Sequence, residues 1–338
     1  ALPVAPSKAK PVARSVASLA KLHAAFRSAR ARRGGLDFET REGVIELTDG
    51  HVTSVNRVQR LTAHQIIEEA MINANVCAAR FIEGAEQCSL YRVHEAPDAM
   101  KLEELNQDLR SVGLRLPKGV PEPKVFKDLL DDLGQRANGW LYQQLVLRSM
   151  QQAVYTPKNQ GHFGLGLERY MHFTSPIRRY PDLLVHRAIK AIIAAKVKRL
   201  PNLEQLEHFG ERCSVNERRA ESAGWTVEAW LKCDLLKQRI GENLNGTIAG
   251  VTEFGLFVEI DDYFVQGLLH ISDLGADYFR FERSQQCLIG DRNGQRFTLG
   301  DPIQVLVAGV EPAQGKIDLR RVRQGSGKEN ASKIKNNR

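Results

Sequence analysis

Apolar residues recur at helical spacing over some long segments and at alternating spacing over others, and the switches between the two periods divide the chain. Leu19, Leu22 and Phe26 predict a first helix that runs to the Gly34-Gly35 break. "LDFETREGVIELTDGHVTSVNRVQR" then alternates, which predicts two or three short strands with Asp49-Gly50 as a hairpin turn. Thr62, with Gln65 three residues on, has the pattern of a capping box, and Ile67, Met71, Ala74, Ala78 and Phe81 predict a deeply packed helix behind it. Glu68 and Glu69 fall in its first two turns, where carboxylates complement the positive end of the helix dipole.

A Pro-rich stretch, "RLPKGVPEPKVF", precedes "NGWLYQQLVLRSMQQAVY", which predicts an amphipathic helix halting at Thr156-Pro157. Another helix starts at Pro181 with Asp182 in its first turn, and residues 203–240 predict two more, broken near Gly224 and closed by Gly241. From Asn243 the period becomes alternating, as in a small five-stranded barrel of the oligonucleotide-binding kind. In "EFGLFVEID", Leu256, Val258 and Ile260 share the inward face, which leaves Phe257 and Glu259 outward. Phe254 and His270 can join Phe257 in a surface that stacks bases. The other reading of the barrel is a protein-contact module. Residues 324–338 have almost nothing apolar to bury and are expected to be disordered.

The 338 residues are 42% hydrophobic and 26% charged, an ordinary globular composition, with no apolar run long enough to span a membrane. Five scattered cysteines without CxxC spacing argue against a disulfide framework and a zinc site, and suit a reducing cytoplasm. The net charge of +8 is unevenly placed. Residues 1–34 hold eight Lys/Arg and no acid, and residues 320–338 hold seven with one acid, which leaves −6 for the remainder. Basic ends of this kind attract phosphate backbones, or else serve as solubilising tails. Residues 1–34 have the composition of a transit peptide, but their helical pattern and the lack of an initiator Met are read as a truncated chain.

"FTSPIRRYPDLLVHR" confines two arginines between two prolines at the mouth of a helix. Pro176 and Pro181 restrict the residues before them, so Arg178 and Arg179 sit on a stiff loop beside unpaired helix N–H groups. Guanidinium groups bind phosphate bidentately, so a phosphate is one natural ligand; pairing with buried carboxylates is the other reading. His162, His172 and His186 lie nearby at separations that match no metal-ligand spacing on a helix. A histidine pair can cleave RNA by acid–base chemistry, but hydrogen-bonded core histidines are the commoner case.

"GHFGLGLERYMHFTSPIRRYPDLLVHRAIKA", with "LDFETREG", "IIEEAMINANVCAARFI" and "VEAWLKCDLL", closely resembles the ribonuclease II/ribonuclease R family. The resemblance implies an α+β fold: the C-terminal part of a mixed α/β exoribonuclease catalytic domain (1–241), an S1-type RNA-binding barrel (242–323) and a basic tail (324–338). It also implies hydrolysis of single-stranded RNA from the 3′ end to nucleoside 5′-monophosphates, with magnesium, by a cytoplasmic monomer that acts in RNA degradation. The ribosome and RNA-decay factors are further candidate partners. Arg178 matches the family's arginine at the scissile phosphate, and Phe38 the aromatic that stacks on bases near the 3′ end. Glu68 or Glu69 matches the glutamate that recognises ribose, Glu68 being the better match. In the barrel, Phe254, Phe257, His270 and Lys316 match the RNA-facing positions, while Pro312 stands where an acid is common. The family's aspartate cluster for magnesium does not occur in this sequence, nor do the two cold-shock-type domains expected upstream. The isolated chain is therefore expected to bind RNA without degrading it.

Overall fold

In chain order the elements are helix α1 (Lys10–Arg32), strands β1 (Gly43–Thr48) and β2 (His51–Arg57), α2 (Thr62–Gly84), β3 (Tyr91–Val93), α3 (Ala99–Leu109), α4 (Pro123–Gly134), α5 (Gly139–Ser149), β4 (Val154–Thr156), α6 (Tyr180–Ile193) and α7 (Leu203–Lys237). Eight further strands follow: β5 (Asn243–Thr252), β6 (Gly255–Ile260), β7 (Val265–His270), β8 (Phe279–Glu282), β9 (Cys287–Gly290), β10 (Arg296–Thr298), β11 (Pro302–Glu311) and β12 (Lys316–Arg321). The computed structural model describes residues 10–38, 43–57, 60–117, 119 and 122–322, and the tail expected at 324–338 lies outside them. By its contacts the chain forms two compact units, residues 1–40 with 58–224, and residues 41–57 with 225–338. No helix among the described residues is long and apolar enough to cross a membrane.

The first unit is built around α2. In its buried face Ile72 and Val76 pack with Tyr170, and Ala78, Ala79 and Ile82 join Tyr91, Val93, Met171 and Val185 in a core. Of the expected stripe Ala78 is buried, but Ile67 and Phe81 are 58% and 45% exposed. Apolar counting missed the true face because that face also buries Glu69 and Asn75, two polar residues with partners of their own. The cap differs too. Leu61 is the N-cap, and its backbone N–H donates to His64 Nδ1 at 3.3 Å, so the reach-back comes from His64 and not Gln65.

Two other expectations are corrected. The helix after Asn138 stops at Ser149, and Val154–Thr156 pairs antiparallel with Tyr91–Val93, as β-branched and aromatic residues favour. Helix α7 runs unbroken through Gly224, where a Cβ would meet nothing within 4 Å. A mid-helix glycine costs only about 1 kcal/mol, which a 35-residue helix tolerates.

The second unit contains the hairpin β1–β2, turned through Asp49 and Gly50 at φ 52° and 81° as the sequence predicts. Val52 and Val55 pack against Leu235 of α7 and Phe264 beyond β6. The five-stranded barrel is present and closed in the order β11-β12-β7-β6-β5, with Leu256, Val258 and Ile260 wholly buried. A three-stranded sheet, β10-β9-β8, is added between β7 and β11; its alternation of Phe279, Leu288 and Phe297 inward was missed. Outward-pointing Glu259 is only 8% exposed, and accepts from Gln266 Nε2 at 3.3 Å. Gly255 has φ +152°, and a Cβ there would stand 2.4 Å from the Leu269 carbonyl oxygen. Gly255→Ala is expected to destabilise the barrel by about 1–3 kcal/mol, the range for a residue forced into strained backbone, measured as a lower urea midpoint at unchanged slope.

Candidate functional site

The arginine loop is organised by one carboxylate. Asp182 is completely buried in the first turn of α6, and its Oδ1 accepts from Ser175 N–H and from the Arg179 guanidinium, both at 2.8 Å. The Ser175 carbonyl in turn accepts from Arg178 N–H and Arg179 N–H, at 3.3 and 3.0 Å, which closes the turn between the two prolines. The two readings of the arginine pair therefore divide between them. Arg179 neutralises a buried acid, whereas Arg178 is exposed and its guanidinium has no carboxylate at ion-pair distance among the described residues. Asp182 Oδ2, Arg179 Nε and Thr174 Oγ1 are buried there without a hydrogen-bond partner.

Asn75 ties this loop to α2. Its amide donates to the Tyr170 hydroxyl and its carbonyl accepts from Phe173 N–H, each at 2.9 Å. The histidines belong to the same framework. His172 shares a 2.9 Å hydrogen bond with the Tyr155 hydroxyl, whose ring lies under Arg92, and Arg92 pairs with Glu217 at 2.5 Å. His186 stacks on Phe173 and donates to its carbonyl at 2.9 Å. Burial, with neighbouring cations, pushes His172 down to about 2; burial, with His94 and Arg92 nearby, pushes His162 down to about 3. Both rings are neutral at physiological pH.

Two turns before Asn75 on the same face of α2, about 10 Å along the axis, stands Glu68. Its carboxylate bridges Arg30 and Arg60, and Arg60 also pairs with Asp37 at 2.8 Å, which Arg27 holds from the other side at 2.6 Å. Burial alone would raise Asp37; hydrogen bonds from Arg60 and Arg27 outweigh it and hold the carboxyl below its ordinary value. Half-buried Phe38 is the next residue after Asp37. Glu69 is buried against Arg30 at 2.9 Å, and Arg30 also donates to the Leu36 carbonyl at 2.6 Å. Of the two glutamates, Glu68 alone has solvent access. Arg30 and Arg60 were not singled out, because their charges were counted with the basic end or not at all; only the return of the chain onto α2 reveals them.

On the barrel, Phe254 and Phe257 meet edge to face at 5.9 Å, and Phe257 lies over Gly250. Gly255 pairs with His270, and the Phe254 carbonyl accepts from Ile271 N–H, so the two phenylalanines and the histidine form one face. His270 Nδ1 is 2.8 Å from Ser272 Oγ. Lys316 is elsewhere. The parallel pairing of Asp318 with Leu268 puts Lys316 level with Gln266, at the far end of β7 from His270. The acid opposite Lys316 is Glu311, one residue before Pro312.

Among the described residues, no group of three or more His, Cys, Asp or Glu side chains is placed to hold a metal ion. Asp131 and Asp132 pair with Lys127 and Arg136, and Asp261 accepts from Thr247. The residues present do not fit a magnesium site.

Asp182→Ala is expected to cost about 3–5 kcal/mol, because it strands the Arg179 charge, whereas Arg178→Ala should stay within about 0.5 kcal/mol of the parent; urea unfolding separates the two. The depressed histidines also set a pH dependence. Their folded values lie below the ordinary 6.5, so the unfolded chain binds more protons between the two. Stability is then complete above about pH 6.5 and falls as the pH drops towards 3 and 2. His162→Gln and His172→Gln should each flatten that slope in unfolding experiments between about pH 6.5 and 4.

Residues 3–195 match the RNB domain, and residues 237–321 the S1 RNA binding domain. Ribonuclease R of Escherichia coli is 41% identical over 321 residues, 91% of this chain and 40% of that protein. Ribonuclease R of Vibrio parahaemolyticus is 42% identical over 323 residues, again 91% of this chain and 39% of the relative. Among solved structures, Mycoplasma genitalium RNase R in complex with ribose methylated single-stranded RNA superposes with a TM-score of 0.85 at 25% identity, over 93% of this chain and 50% of that one. The chain thus spans about 40% of the length of the ribonuclease R sequences it matches. With both domains matched in order and this identity sustained over nine-tenths of its length, the chain belongs to the ribonuclease R family of RNB-domain proteins.

Proposed function

We propose that this chain supplies the phosphate-contacting and RNA-holding parts of a 3′-to-5′ exoribonuclease that hydrolyses single-stranded RNA to nucleoside 5′-monophosphates. The observation that carries the reading is the division of labour between the two loop arginines. Arg179 is consumed by Asp182, and the exposed Arg178 is left as a positioned cation for an incoming phosphate. The backbone of Arg178 is set before the substrate arrives, its N–H donating to the Ser175 carbonyl at 3.3 Å, and a cation presented in this way acts by electrostatic stabilisation as charge develops on the scissile phosphate. Phe38 stacks on a base near the 3′ end, and Glu68 accepts from a ribose 2′-OH, a contact that DNA cannot make. Phe254, Phe257 and His270 stack on further bases of the strand. The family's metal ligands are carboxylates that this sequence lacks, so the chain by itself binds RNA and does not cleave it. A second reading, a non-catalytic RNA-binding module, rests on the barrel face, which needs no metal to stack bases.

The test uses the purified chain and a 3′-labelled single-stranded RNA. Binding should weaken steeply with salt, Phe254→Ala with Phe257→Ala should reduce affinity without changing the salt slope, and no mononucleotide should appear with magnesium. Release of mononucleotides by the chain alone would overturn the predicted inactivity. Joining the chain to the upstream part of a relative such as the Escherichia coli protein separates the two readings: restored hydrolysis that is lost in Arg178→Ala supports the exoribonuclease.

A further inference from the structure

Beside the barrel, α7 and the starts of β7 and β12 enclose a cleft of about 260 Å³ that none of the expected site residues lines. Its floor is apolar and closely fitted: Cys233 and Ile317 are buried, and a Cβ on Gly315 would stand 3.2 Å from the Ala229 Cβ. One wall is Trp225, 60% exposed, whose indole face is open to a ligand. The rim is polar, with Gln266 on one side and Lys232, paired to Glu228 at 2.6 Å, on the other. Exposed Lys316 lies between floor residues Gly315 and Ile317, and its carbonyl touches Cys233 Sγ at 3.8 Å.

We propose that this cleft is a further nucleobase site, in which a base of single-stranded RNA stacks on Trp225 and Lys316 and Lys232 face the adjoining phosphates. The proposal rests on the RNA-binding reading of the barrel and extends it. The cleft volume of about 260 Å³ accommodates a single flat ring system. A flat indole beside cations is the combination that binds single strands without sequence preference. Position decides the rest. Gln266, Leu268 and His270 alternate outward along β7, with Phe257 across from Leu268, so the cleft and the aromatic face are two ends of one strand, about 13 Å apart. That distance exceeds one base step, so a short oligonucleotide fills one end and a longer strand engages both. The placement also gives Lys316 a role that its distance from His270 otherwise denies it.

The experiment measures the affinity of the complete chain for fluorescent oligouridylates of about 4 and about 12 nucleotides, lengths that bracket the site sizes of single barrels. Circular dichroism confirms that each variant is folded. Trp225→Ala should weaken the 12-nucleotide complex about tenfold, with the salt slope kept, while Trp225→Phe, which retains a ring to stack on, should stay within about threefold of the parent. An affinity for the longer strand unchanged in Trp225→Ala, or an equal loss in Trp225→Phe, overturns the cleft site. If the parent chain binds RNA and only Phe254→Ala with Phe257→Ala weakens it, the barrel reading stands and the cleft falls. No binding by the parent chain removes both.

Discussion

Asp182 is a carboxylate with no access to water, and such a group persists only where donors are brought to it. Its two donors, Ser175 N–H and the Arg179 guanidinium, both come from the loop that precedes its own helix. Any rearrangement of that loop would leave a buried charge unpaired, at a cost of several kcal/mol. The prolines narrow the backbone, but the buried acid selects one conformation from those that remain. The backbone of Arg178 is set by its own N–H bond to the Ser175 carbonyl and by Arg179 beside it, which Asp182 holds. The fixed backbone that presents Arg178 thus comes from burying an oppositely charged group three residues beyond the pair.

The same logic holds where the chain returns onto α2. Arg30 enters the core beside buried Glu69, and its Nη2 donates to the Leu36 carbonyl, just before the segment carrying Asp37 and Phe38. Asp37 then gathers Arg27 and Arg60, and Arg60 reaches Glu68. Ionic contacts near the surface contribute little to stability. Here their effect is geometric: through Arg60 they tie the segment of Asp37 to Glu68, from distant parts of the sequence. Neutral histidines and Asn75 extend the framework to the arginine loop, which makes α2 the common reference for both groups of residues.

Much of this was legible in the sequence, and the failures share a cause. The Asp49-Gly50 hairpin, the barrel with Leu256, Val258 and Ile260 inside, and the stiff loop at Arg178 follow from local rules of turn chemistry and alternation. What was misread depends on partners remote in sequence. The buried face of α2 is marked by Glu69 and Asn75, whose burial makes sense only once Arg30 and Phe173 are in place. Val154–Thr156 becomes a strand only because Tyr91–Val93 lies beside it. Gly224 fails to break α7 because a helix that long outweighs one poor residue. Lys316 was placed with His270 on the strength of the resemblance, and the parallel pairing of β12 with β7 sets it level with Gln266 at the other end of that strand.

The hairpin β1–β2 has a consequence for how the molecule is made. Its residues belong to the unit formed mainly by 225–338, yet they are synthesised long before it. Val52 and Val55 find their packing partners only when Leu235 and Phe264 have been added. At translation rates of about 5–20 residues per second, that wait is on the order of 10–40 s. Two-stranded hairpins are marginal alone in water, so during synthesis this one is an exposed β-element awaiting its core. Contacts so distant in sequence also slow folding. The unit that contains the barrel is consequently not a cassette that can be cut out at one position: a segment beginning at α7 would leave behind the strands that cover Leu235.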